Sequence, residues 1–128
     1  MKQFWYTKGV NTSFLEAVDD IIFALKEQWF WILHTIDIQA RIKEKLWKDI
    51  EEYLVLWACN PSLADEALGV EYEIWLFLPC NVIIYKKNSR VFVSSILPTQ
   101  TMWAINNQDI LNIATKVEQK LKNAIDSI

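Results

Sequence analysis

Apolar and polar positions recur along this chain with two periods, and the switches between them mark its elements. Phe4 to Val10 alternates weakly and predicts a first strand, closed by Asn11-Thr12. Ser13-Phe14-Leu15-Glu16 reads as a capping box, the serine oxygen taking an amide of the first turn while Glu16 reaches back. The helix it opens sets Phe14, Ala17, Val18, Ile21, Leu25 and Gln28 on one stripe, apolar in all but the last. Lys26 in the last turn suits the helix dipole. A left-handed glycine ordinarily closes such a helix, and this chain has Trp29 there.

Phe30 to Ile38 predicts a second strand, with Ile32, His34 and Ile36 on one face and Leu33, Thr35 and Asp37 on the other. A short charged helix over Gln39 to Leu46 follows, and again a tryptophan, Trp47, stands where a glycine would end it. Tyr53 to Ala58 predicts a third strand. Asn60-Pro61 then starts a helix through Leu68, with asparagine as cap, proline as first helical residue and Gly69 as its end. Glu73 to Leu78 and Val82 to Lys86 read as two extended segments around Pro79. The turn Lys87-Asn88-Ser89 leads into a hairpin partner, Arg90 to Leu97, which Pro98 breaks. Thr99 to Ile105 reads as a connection, and Asn106 or Asn107 caps a last helix. Its stripe is Ile110, Ile113, Ala114, Val117, Leu121 and Ile125. Antiparallel hairpins with two long one-sided helices predict an α+β fold. Its two layers are an antiparallel sheet of about five to six strands and two long helices packed on one face.

The 128 residues predict one domain over 1–128, of a size that buries about two-thirds of its unfolded surface. A net charge of −3, with lysines scattered among acids, argues against a phosphate-backbone partner. The longest apolar run, Ile74 to Tyr85, is interrupted by Pro79 and Asn81 and falls short of the ~20 residues of a membrane helix. The N-terminal stretch lacks the apolar core of a signal peptide. Neither nucleic acid nor membrane is therefore expected as a partner, and the expected location is the cytoplasm, where two cysteines are free thiols.

Several short motifs follow one another in a characteristic order. They are Tyr6-Thr7-Lys8 with Val10, Ser13-Phe14 and Ala17; Ala24-Leu25-Lys26-Glu27; Ile36-Asp37-Ile38; and Ile42-Lys43-Glu44-Lys45-Leu46. Ala58-Cys59-Asn60-Pro61, then Leu63-Ala64 with Glu66-Ala67-Leu68, and Leu78-Pro79-Cys80-Asn81-Val82 complete the set. In this the chain resembles, over almost its whole length, the family catalogued as domain of unknown function 302. The resemblance implies a compact α/β domain with helices on one face of an antiparallel sheet, and a homodimer. It implies no settled activity and no established cofactor.

One departure from that pattern is systematic. The chain has 2 glycines and 7 tryptophans. Average glycine usage of about 7% would give roughly nine, the number of the two together. Trp29, Trp31, Trp47, Trp57 and Trp75 stand where members of the family carry glycine, and Trp5 and Trp103 stand in similar company. Two explanations compete: a tryptophan-rich homologue with a repacked core, or UGA codons that the source organism reads as glycine. The count and the positions together favour the second.

Chemistry concentrates in two Cys-Asn pairs. Cys59 precedes the cap of a helix, whose partial positive charge lowers a thiol pKa and attracts anions. Cys80 follows Pro79 at a strand end, and the strands carrying the two thiols are expected to be neighbours. A small-ligand or thiol-dependent binding module centred on Cys59, Asn60, Cys80 and Asn81 is one expectation, with redox chemistry, a soft metal or a small anion as its uses. The other is a structural or interaction domain acting through a homodimer surface, both cysteines being small buried hydrophobes. Two cysteines lack the four ligands of a structural zinc site, so no metal is expected. His34 and Asp37 fall on opposite strand faces and form no pair. The run Lys43 to Glu52 reads as a solvated helix face. No pattern in the chain names a reaction or its catalytic residues.

Overall fold

The structure, a computed structural model, describes residues 3–128. Five strands form one sheet: β1 (Trp5–Val10), β2 (Trp31–Asp37), β3 (Tyr53–Cys59), β4 (Cys80–Lys87) and β5 (Arg90–Ile96). They run in the order β1-β5-β4-β3-β2, each antiparallel to its neighbours. The helices are α1 (Phe14–Glu27), α2 (Ile38–Leu46), α3 (Pro61–Val70), α4 (Pro98–Met102) and α5 (Gln108–Asp126). Helices α1 and α5 pack on one face of the sheet, giving the two-layer α+β architecture expected from the sequence.

Each long helix begins where its cap dictates. Ser13 Oγ accepts the Glu16 amide at 3.1 Å, and Glu16 returns to the serine hydroxyl rather than to its backbone amide. Asn107 Oδ1 accepts the amides of Asp109 and Ile110, which opens α5. The predicted stripe of α5 is buried in full, joined by Ala124. From α1, Ile21 and Leu25 meet Leu56, Val82, Ile84 and Val93 of the sheet. Full burial of each such side chain is worth about 1.5–3 kcal/mol, so this layer carries most of the fold's stability.

Four local expectations are corrected. Gly69 lies inside α3, which runs on to Val70 and ends at Glu71 in extended backbone. Glu73 to Leu78 is not extended: Ile74–Leu76 forms a 3-10 turn that sinks Ile74 into the core. Thr99 to Ile105 is α4 followed by a 3-10 turn over Trp103–Ile105, because Pro98 is a good first helical residue as well as a strand breaker. The charged run leaves the helix at Trp47, and its end serves the neighbouring hairpin. The Glu51 carboxylate accepts the amides of Asn88 and Ser89, both at positive φ in the two-residue turn between β4 and β5.

A bulge also redirects β2. Ile32 pairs with Ala58 and His34 with Trp57, so the register slips at Leu33 and His34 leaves the face of Ile32. Asp37 is spent on the α2 cap, accepting the Ala40 amide. Among the described residues, no helix is long and apolar enough to cross a membrane.

Candidate functional site

The two Cys-Asn pairs lie at adjoining ends of neighbouring strands. Cys59 closes β3, and Asn60 caps α3 by accepting the Leu63 amide at 3.1 Å. The Asn60 amide group also donates to the Gln28 carbonyl at 3.4 Å, tying the start of α3 to the end of α1. Cys80 opens β4 directly after the cis Leu78–Pro79 peptide and sits opposite Ala58. Cys59, Asn60 and Cys80 thereby line one small cavity, together with Phe30, Ala64 and Ile113. Its volume is about 20 Å³, room for about one water.

Both thiols are free and buried. Burial pushes the Cys59 thiol above its ordinary pKa. Burial, with Cys59 nearby as a lesser cause, pushes the Cys80 thiol up to about 12. At neutral pH both are protonated, and neither is a prepared nucleophile or soft-metal ligand. Asn81 does not join this cavity. One step along the pleat from Cys80, it faces the other side of the sheet, opposite Trp57.

Neither α1 nor α5 covers that other side. Cross-strand partners place Trp5 and Thr7 of β1, Phe92, Ser94 and Ile96 of β5, and Asn81, Ile83 and Tyr85 of β4 on it. Tyr53, Val55 and Trp57 of β3 and His34 of β2 continue it. Three rings form a ladder across the strands, Tyr53 stacked on Tyr85 at 5.5 Å and Tyr85 on Phe92 at 5.2 Å. The Arg90 guanidinium lies over Phe92 at 5.3 Å, and Lys87 pairs opposite Arg90 at the same end of the face. Burial in the ladder, and secondarily Tyr85 beside it, raises the Tyr53 pKa and keeps its hydroxyl a neutral donor.

Beside the ladder the face dips into a depression of about 400 Å³. Trp5, Ile83 and Ile96 give it apolar walls, and Thr7, Asn81 and Ser94 supply hydrogen-bonding groups. Thr7 and Ser94 already share a hydrogen bond of 2.7 Å. This face was not singled out from the sequence, although it left a signal. Val82-Ile83-Ile84-Tyr85 and Tyr53-Leu54-Val55-Leu56 are apolar at successive positions, not alternate ones. In an antiparallel sheet that pattern means two apolar faces, and the two long helices cover one.

No group of three or more metal-ligating side chains occurs among the described residues. The profile of the family described as Domain of unknown function DUF302 matches residues 6–128. A crystal structure of the uncharacterized conserved protein DUF302 from Bacillus stearothermophilus is similar, with a TM-score of 0.92 and 26% identity over 98% of each chain. No curated protein matches the chain. A family profile spanning nearly every residue, joined to a solved relative of the same architecture, establishes that this chain belongs to the DUF302 family.

Proposed function

We propose that the chain acts as an interaction module whose docking surface is the open face of the sheet, covered by a second copy of itself. The observation that carries this reading is an aromatic and aliphatic face spanning neighbouring strands, with the paired Lys87 and Arg90 at one end of it. Away from that cationic end the surface sets no like charges against an identical copy, which suits a two-fold, self-complementary contact. Five strands about 4.8 Å apart and six to eight residues long give roughly 500 Å² of projected area before side-chain relief. Stable interfaces bury about 800 Å² per partner, so a pair covering the whole face stands at the lower end of that class.

The thiol-dependent reading has less support. The convergence of Cys59 and Cys80 on one cavity favours it, but the cavity admits about one water and both thiols are held protonated. Light scattering after size exclusion tests the docking surface. A dimer is expected at tens of micromolar, and Ile83→Glu, which sets a charge on the open face, is expected to yield a monomer with an unchanged circular dichroism spectrum. A monomeric parent protein, or an Ile83→Glu variant that stays dimeric, overturns the reading.

A further inference from the structure

We infer that the native chain carries glycine at positions 29 and 47, and that the seven tryptophans are UGA codons the source cell reads as glycine. Both positions are left-handed. Trp29 has φ 66° and Trp47 φ 54°. A side chain with a Cβ is disfavoured there, and glycine is not.

Hydrogen bonding makes the assignment more specific. At the end of α1 the Trp29 amide donates to the Lys26 carbonyl and the Phe30 amide to the Leu25 carbonyl. Those two bonds, with Phe30 and Leu25 both buried in the core, constitute a complete Schellman motif. Trp29 occupies its C′ residue, the position for which glycine is most strongly selected. At the end of α2 the Trp47 amide donates to the Lys43 carbonyl, the single bond of the simpler left-handed cap. Two separate helices thus end in glycine geometry occupied by tryptophan, in a chain with 2 glycines in all.

Burial points the same way. Tryptophan is highly buried on average. Here none of the seven reaches the core, and their exposure runs from 37% at Trp57 to 83% at Trp47. The contacts that Trp57 makes with His34, and Trp31 with Lys26, are of the weak surface kind. Glycine at these positions would remove no core packing. It would also bring the glycine content to the ordinary fraction.

The inference is independent of the docking surface, since Trp29 and Trp47 follow helices and lie off the open face. It does reshape that face. Trp5 and Trp57 stand on it, and glycine in place of Trp5 would remove one apolar wall of the depression beside the Tyr53–Tyr85–Phe92 ladder.

Two measurements test the inference. The gene should carry UGA at codons 29 and 47, and peptide mass spectrometry of protein from its source cells should read glycine at both. UGG codons, or tryptophan masses at both positions, overturn it. In recombinant protein of the sequence given, Trp29→Gly and Trp47→Gly should each raise the thermal midpoint by about 2–6 °C. Trp29→Ala, which keeps a Cβ, should gain clearly less. Equal shifts for glycine and alanine, or a lowered midpoint for both glycine variants, would remove the backbone argument.

Discussion

Ile83 and Ile84 are neighbours on β4, and the pleat sends them to opposite sides of the sheet. Ile84 is sealed beneath the helices, whereas Ile83 lines the uncovered depression. The same division separates the two asparagines of the Cys-Asn pairs. Asn60 is buried, with its oxygen and its amide group both bonded, while Asn81 stands in the open between Trp57 and the depression. Residue type alone is therefore a poor guide to function here. The side carrying the reactive-looking cysteines is occupied with packing and capping, and the side without them holds the accessible surface.

The largest effect that can test this contrast comes from the two isoleucines. Ile84→Ala is expected to cost about 2–5 kcal/mol, because a fully buried site keeps a cavity. Ile83→Ala is expected to cost about 1 kcal/mol or less in the monomer. Urea denaturation measures both, and equal losses would mean that the open face is as much a core as the covered one.

The thiols give the next contrast. A thiol whose folded pKa lies above its unfolded value favours the folded state while both forms are protonated. That contribution is present below the unfolded pKa and is lost as pH rises through the folded one. For Cys80 the window runs from about 9 to about 12. Stability should thus fall across this alkaline range, and Cys80→Ala should flatten the fall, leaving the smaller slope of Cys59 and Tyr53, whose pKa values are also raised. At pH 7 both cysteines should resist iodoacetamide until denaturant is added. Rapid labelling of the native protein would show the cavity to be open to solvent and return the thiols to consideration.

The asparagines provide the smallest test. Asn60→Ala should cost about 1 kcal/mol as a lost helix cap, more if the Gln28 carbonyl is left without a partner. Asn81→Ala should change stability by no more than about 0.5 kcal/mol. A reversal of that order would contradict the division of labour between the two Cys-Asn pairs.

Much of the architecture is legible in the sequence. Ser13, Asn60 and Asn107 cap the helices that their neighbours' periodicity predicts, and the α5 stripe is buried as read. Trp29 and Trp47 could be placed at helix ends because capping geometry is local. The errors cluster where local signals compete. Pro98 is both a strand breaker and a helix starter, and the apolar segment after Gly69 holds a buried 3-10 turn whose anchor, Ile74, resembles a strand residue in sequence. The bulge at Leu33 leaves no local mark, so the alternation that set His34 beside Ile32 was bound to fail.

The site was less legible than the fold, for a related reason. That Cys59 precedes a helix cap is a fact about adjacent residues. That burial raises its pKa depends on residues such as Phe30 and Ile113, which lie far from it in sequence. The sequence by itself determined the two long helices, their N-caps, their one-sided stripes and the strands of the sheet, since each rests on interactions within a few residues. Only the tertiary structure decided the strand order β1-β5-β4-β3-β2, which face the helices cover, and that Asn81 and not Cys80 looks out. Those outcomes depend on pairing between distant strands, where a slip of one residue reverses every side chain's face.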